Sequence, residues 1–179
     1  MAQKYYRDFR EHLKALEERG KLVRIKREIN KDTELMPLVR WQFRGLDERD
    51  RKAFMFENIV DAKGKRYSMP VTVGTLAATT EIYALGMMCE PDQIPERWNQ
   101  AQLHPFDPVK VSKAAVQEMV WQGQDILNGH GLDMLPVPIS TPGFDNAPYL
   151  TSANWITKDP ETRIYNIGNY RSQIKSPNR

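Results

Sequence analysis

The first half of the chain alternates between helix-like and strand-like spacing of its apolar residues. Between residues 5 and 19, Phe9, Leu13 and Leu16 recur on one helical face, and Gly20 ends the pattern. The segments that follow predict a strand over 21–29, a helix capped by Thr33 and ending at Phe43, and strands over 53–59 and 69–76. They also predict a helix over 79–86 with a threonine cap and a terminal glycine, and a helix over 91–102. These elements indicate a mixed α/β domain.

The second half of the chain has a different character. After a stiff connector over 104–108, the apolar run over 114–121 predicts a strand. A loop with four prolines then leads to a predicted β-hairpin, with a strand over 149–157, a turn over 158–162 and a strand over 163–173. The predicted fold class is α+β, with a first domain over 1–111 and the opening strands of a second, mainly β domain over 112–179.

The charge pattern and the composition exclude several classes of protein. The net charge of +3 is small and basic residues alternate with acidic ones, so neither nucleic acid nor an anionic membrane is an expected partner. No apolar run approaches the roughly 20 residues that cross a bilayer. Cys89 is the single cysteine, which suits a reducing compartment, and we therefore expect a cytoplasmic protein.

The usual catalytic and metal-binding patterns do not occur. His12, His104 and His130 have no metal-ligand spacing, and each is expected to be a surface or loop residue. Cys89 follows two methionines and is most simply a buried small hydrophobic residue. The glycine–lysine pair at Gly64 lacks the flanking residues of a phosphate-binding loop.

The segment 165–173, YNIGNYRSQ, combines groups that suit a ligand. Asn166 and Asn169 offer amide oxygens for a hard cation, and the planar fork of Arg171 matches a carboxylate or a phosphate. Gly168 removes a side chain where a ligand or another backbone can approach. An exposed hairpin strand with polar residues explains the composition equally well, so both interpretations stay open at this point.

Strand alternation constrains how these groups could work together. Asn166 and Arg171 are five residues apart, so a regular strand places them on opposite faces. If both bind one ligand at a shared point, the strand must break its alternation, and Gly168 is the expected position of a bulge or kink.

Several segments, taken in order, resemble the UbiD family of decarboxylases that depend on prenylated flavin mononucleotide (prenylated FMN). The resemblance covers nearly the whole chain and is carried by DFREHLKALEERGKLVRIKREIN, AFMFENI, VGTLAATTEIYALG, AVQEMVWQGQD, the loop and strand from LPVPIS to KDPET, and YNIGNYRSQ. The resemblance implies that the second domain begins a split β-barrel that binds the flavin.

The resemblance also implies roles for individual residues. Asn166 would bind a divalent metal, Mn²⁺ or Mg²⁺, at the cofactor phosphate, with K⁺ as a further possible ion. Arg171 would be catalytic, holding the substrate carboxylate together with glutamates. The residues that would line the prenylated FMN are Asn166, Ile167, Gly168, Asn169, Tyr170 and Arg171, although Asn169 departs from the aliphatic residue expected there.

The implied activity is the reversible, non-oxidative decarboxylation of an aromatic or α,β-unsaturated acid. Family members are much longer, so we expect this chain to be the N-terminal part of a larger enzyme or one subunit of a split enzyme. Residues 1–179 alone are expected to be inactive, and the complete enzyme is expected to be a homo-oligomer. Two alternatives stay open: a non-catalytic binding or regulatory subunit, and an FMN reductase-like flavoprotein.

Overall fold

The computed structural model describes residues 5–107 and 109–179, and it has the mixed α/β architecture that the sequence predicts. The helices are α1 (Phe9–Glu18), α2 (Leu35–Gly45), α3 (Thr80–Met87) and α4 (Ile94–Leu103). The strands are β1 (Leu22–Asn30), β2 (Ala53–Val60), β3 (Arg66–Tyr67), β4 (Val71–Val73), β5 (Tyr149–Lys158) and β6 (Tyr165–Gln173). Strand β2 pairs with β1 and, antiparallel, with both β3 and β4.

The helix termini follow local capping chemistry. The Asp8 side chain caps α1 by accepting the backbone N–H of Glu11 at 3.0 Å, and Thr79 caps α3 as predicted, by accepting the N–H of Ile82 at 3.0 Å. The predicted end at Gly86 is wrong, because α3 continues through Gly86 to Met87, and Met88 then takes the left-handed conformation that ends the helix.

The start of α2 also differs from the prediction. The helix begins at Leu35 rather than directly after Thr33. The Asn30 side chain accepts the backbone N–H groups of Asp32 and Thr33 at 2.9 and 3.2 Å, so a turn built on asparagine precedes the helix.

Two predicted strands are wrong in part or in whole. The strand over 69–76 is reduced to β4, because Gly74 has a φ of +77° and turns the chain. The strand over 114–121 does not form; the structure has a single 3₁₀ turn over Ala115–Gln117, whose Gln117 side chain accepts the N–H of Ala114. Its apolar side chains are exposed, Val116 by 86%, and no strand pairs with the segment among the described residues.

The first of two compact units contains chain segments up to residue 27, 39–58 and 70–120. Its core cluster consists of Leu16, Ala53, Ala78 and Ile82. His12, expected at the surface, is buried beside this core, with 4% of its surface exposed. Its Nε2 lies 2.8 Å from the Thr75 carbonyl oxygen, so the imidazole acts as a packing residue that donates one hydrogen bond.

The second unit contains residues 28–38, 59–69 and 121–179, so the compact units do not coincide with the predicted division at residue 111, which stays a prediction. Buried Ile29, Leu35 and Ile59 belong to this unit. Near them, the Tyr67 hydroxyl donates to Asp61 at 3.2 Å. Burial, and then the charge of Asp61, raise the pKa of Tyr67 to about 12.

The same contacts predict a pH dependence of stability. Burial raises the pKa of the Asp61 carboxyl, but hydrogen bonds from the Lys65 and Lys63 backbone N–H groups and from Tyr67 outweigh it, so the net shift is downward. A lowered pKa in the folded state contributes stability above the unfolded value of about 3.9, and this is lost as the pH falls through the folded value.

We therefore expect Asp61→Asn to lower the free energy of unfolding at pH 7 and to have a smaller effect at pH 3, below the unfolded pKa of about 3.9. Urea denaturation at both pH values measures this, with exposed Asp92→Asn as the control. An equal loss at both pH values would assign the effect to packing rather than to the carboxylate charge.

Within the described part of the chain, none of the helices has the length and apolar character that a membrane crossing requires.

Candidate functional site

The predicted hairpin forms, and its turn is built on Asp159. The Asp159 side chain accepts the backbone N–H groups of Glu161 and Thr162 at 2.8 and 2.7 Å. Bonds from Thr162 and then Glu161 lower the pKa of the Asp159 carboxyl. Arg163 takes the left-handed conformation, so β6 begins at Tyr165, two residues later than predicted.

The predicted kink at Gly168 is wrong. Residues 165–170 pair with 158–153 in one unbroken register, and Gly168 lies opposite Trp155. Alternation therefore continues through the glycine. Asn166, Gly168 and Tyr170 share one face of the hairpin, whereas Ile167, Asn169 and Arg171 share the other.

A bulge lies further along, in the partner strand. Ala153 pairs with Tyr170 but Leu150 pairs with Ser172, so two residues of β5, Thr151 and Ser152, stand opposite Arg171 alone. An extra residue on one strand bends it and increases the local twist. The irregularity is therefore at the arginine, and the glycine has another role.

Gly168 makes room for an aromatic ring. A Cβ built on Gly168 would overlap the ring of Tyr170, two residues away on the same face. The ring therefore lies across the glycine backbone, and a side chain at position 168 would require the Tyr170 ring to move.

A cavity of about 340 Å³ opens beside Arg171. This volume suits a small organic ligand. It is lined by residues that carry hydroxyl, carboxylate or guanidinium groups as well as apolar carbon atoms: Ser140, Thr141, Asp145, Tyr149, Thr151 and Arg171. We call it the Arg171 cavity. Among the described residues, no hydrogen bond or ion pair occupies the Arg171 guanidinium.

The loop wall of the Arg171 cavity is held by its own hydrogen bonds. Asp145 accepts the Thr141 N–H through Oδ2 at 2.7 Å, and the Asp145 N–H donates to the Thr141 carbonyl at 2.9 Å. The next residue, Asn146, accepts a 2.7 Å bond from Gln173, which follows Arg171 by two positions on β6. The wall is thus tied to the strand that carries the arginine.

The two asparagines are exposed, and the structure separates them. Asn169 is on the face of Arg171 and pairs across the hairpin with Asn154, whereas Asn166 is on the opposite face. At roughly 3.4 Å per strand residue, Asn166 and Arg171 stand about 17 Å apart along β6. A single ion could not touch both.

The structure shows no preformed metal cage at Asn166 among the described residues. No group of three or more His, Cys, Asp or Glu side chains is arranged for a metal in the part of the chain that the structure describes. The Asn166 amide oxygen suits one coordination position of a hard cation that takes its other ligands from a phosphate, water or other residues.

The loop residues of the Arg171 cavity were not identified from the sequence. Ser140, Thr141 and Asp145 lie within the four-proline loop, and a cluster of hydroxyl and carboxylate groups directly before a strand is the signal that was available. Thr151 faces the cavity at the bulge, which no feature of the strand pattern revealed.

Comparison with protein families gives two matches that follow one another along the chain. Residues 13–102 match the 3-octaprenyl-4-hydroxybenzoate carboxy-lyase N-terminal domain, and residues 108–179 match the Rift-related domain of the same carboxy-lyase. The second match includes the whole hairpin and the loop of the Arg171 cavity.

Solved structures of UbiD-class enzymes are similar to this chain. HmfF from Pelotomaculum thermopropionicum, in complex with FMN, is 29% identical with a TM-score of 0.75, over 94% of this chain and 34% of HmfF. An evolved dimeric form of HmfF, in complex with prFMN, is 27% identical with a TM-score of 0.71, over 94% of this chain and 36% of the HmfF chain. Vanillic acid decarboxylase from Sedimentibacter hydroxybenzoicus is 27% identical with a TM-score of 0.77, over 97% of this chain and 37% of the decarboxylase chain. The chain thus spans about a third of the length of these structures.

Proposed function

Because the chain belongs to the UbiD family, we propose that it acts in the reversible, non-oxidative decarboxylation of an aromatic or α,β-unsaturated acid with prenylated FMN. The observation that carries the proposal is the match of residues 108–179 to the family's Rift-related domain. Arg171 lies in this domain beside a cavity of about 340 Å³, and its guanidinium has no hydrogen bond or ion pair among the described residues. The FMN and prFMN held by HmfF support the cofactor.

The hairpin fits an elongated phosphorylated cofactor better than a compact one. Asn166 and Arg171 face opposite ways and stand about 17 Å apart, so they suit the two ends of such a molecule rather than a shared point. The outer edge of β6 is unpaired among the described residues and offers backbone N–H and C=O groups between them. No break in strand alternation is then needed.

The residues of β6 would have different roles that follow from their chemistry. Asn166 would give its amide oxygen to the metal at the cofactor phosphate, where Mn²⁺, Mg²⁺ and K⁺ all accept oxygen ligands. Ile167, Gly168, Asn169 and Tyr170 would line the cofactor, and Arg171 would bind the substrate carboxylate through its planar fork. Prenylated FMN, when bound, supplies the electron sink that the departing carbon dioxide requires.

We further propose that this chain is inactive by itself. The related structures are almost three times as long, and the acidic residues that would work with Arg171 are expected in the part without a counterpart here. The complete enzyme would be a cytoplasmic homo-oligomer.

The test is carried out on the native protein, purified with its cofactor. We expect an intact mass larger than that of residues 1–179, a bound flavin visible in the absorption spectrum, and carbon dioxide release from an aryl or unsaturated acid that stops when the flavin is removed. A native protein without flavin would favour the binding or regulatory subunit. A flavin that reacts with NAD(P)H while no acid releases carbon dioxide would favour the FMN reductase-like alternative.

A further inference from the structure

The Arg171 cavity has two chemically opposite ends. Arg171 brings five N–H donors and a positive charge from β6, whereas Asp145 brings a carboxylate from the loop. No ion pair joins the two among the described residues, so each charge stays available to a ligand. A molecule that fills this cavity meets a donor surface at one end and an acceptor at another.

The position of Asp145 is fixed by its neighbours. Oδ2 accepts the Thr141 N–H, and the backbone N–H of Asp145 returns a bond to the Thr141 carbonyl. The bond between Asn146 and Gln173 then ties the loop to β6. With Oδ2 engaged, Oδ1 keeps its acceptor capacity, and the residue is half-buried in the cavity lining.

A carboxylate in this position discriminates between ligands by their hydrogen bonding. A ligand without a hydrogen-bond donor would displace water from the Asp145 carboxylate without replacing its hydrogen bonds, which is costly for a charged group. A ligand with a hydroxyl or a ring N–H would replace the water with a charge-assisted hydrogen bond. The hydroxyls of Ser140, Thr141 and Thr151 add further hydrogen-bonding atoms to the lining.

We propose that Asp145 is a specificity-determining residue, and that the Arg171 cavity selects an acid with a hydrogen-bond donor on its ring or chain over a hydrocarbon acid of the same shape. This inference rests on the proposed function, since it takes the carboxylate of the substrate to be bound by Arg171. In this proposal Arg171 on β6 binds the carboxylate that all of the acids share, and Asp145 in the loop discriminates between them.

The experiment compares acids of matched shape. The 2-, 3- and 4-hydroxybenzoates are each paired with the methylbenzoate of the same substitution, and equilibrium binding is measured by ligand-observed NMR on the native protein purified free of flavin, so that no acid is consumed. We expect at least one hydroxybenzoate to bind about tenfold more tightly than its methyl counterpart. Asp145→Asn should largely remove that difference, because its amide oxygen can still accept the Thr141 N–H but carries no charge.

Exposed Asp125→Asn, in the same unit, is the control and should keep the preference. Equal binding of each matched pair, or a preference that survives Asp145→Asn, would overturn the inference. The proposed function is tested separately by flavin content and carbon dioxide release in the native holoprotein, so an enzyme that decarboxylates acids without this preference would refute the role of Asp145 alone. Failure of all the acids to bind the flavin-free native protein would also overturn the inference about Asp145.

Discussion

Arg171→Ala in the native holoprotein is expected to reduce kcat/KM for decarboxylation by about a hundredfold to a thousandfold, the usual cost of removing a preorganised donor from an active site. Arg171 faces a cavity of about 340 Å³, and its guanidinium has no partner among the described residues. Under the proposed function, the interaction that the substitution removes is the one with the substrate carboxylate. Steady-state carbon dioxide release gives the rate, and the absorption spectrum gives the flavin content.

The controls separate catalysis from folding and cofactor binding. Arg171→Lys keeps the charge but lacks the planar fork, so an intermediate loss is expected. Arg163→Asn removes an exposed arginine from the same hairpin while tolerating its left-handed backbone, and it should leave turnover unchanged. Unchanged kinetics in Arg171→Ala would refute the assigned role, and a loss of flavin in parallel with activity would make Arg171 a cofactor ligand instead.

Lys31→Met is expected to lower the free energy of unfolding by about 3 kcal/mol, because it leaves a buried carboxylate without its counter-charge. Lys31 is 5% exposed, and its Nζ lies 2.6 Å from Asp32 Oδ1. The other oxygen of Asp32 accepts the Ala62 N–H at 3.0 Å, and the Asp32 side chain is itself only 16% exposed. Methionine keeps the apolar length of the lysine stem, so little of the loss arises from a cavity.

A second substitution isolates the charge effect. Lys31→Met combined with Asp32→Asn should recover much of the stability, since the amide can still accept the Ala62 N–H and the charge of Asp32, the direct partner of Lys31, is removed as well. Exposed Lys63→Met is the matched control and should change stability by less than about 0.5 kcal/mol. Urea denaturation measures all of the variants. A loss below about 1 kcal/mol in Lys31→Met, or no recovery in the double variant, would show that the pair is not stabilising.

Some local features, although not the predicted Thr33 cap, could be predicted correctly from the sequence. The Thr79 cap and the hairpin with its turn at Asp159 followed from residue types at fixed spacing. The strand over 114–121 failed because an apolar run forms a strand only when another strand pairs with it. His12 failed for a related reason, since its burial depends on what packs against α1 and not on its neighbours in sequence.

The candidate site was predicted in part. Arg171 was identified from its own chemistry, and the structure places it at a cavity. The bulge opposite it could not be predicted, because a bulge is a property of two strands in register and the extra residue belongs to β5. Asp145 reaches the cavity only through the path of its loop, which no periodic pattern encodes.

The ring of Tyr170 over Gly168 links two positions that a comparison of relatives would otherwise treat separately. Any larger residue at 168 needs the ring to swing away or a smaller residue at 170. The choice of residue at one of these positions should therefore depend on the residue at the other, and substitutions at the two sites should not be additive in their effects.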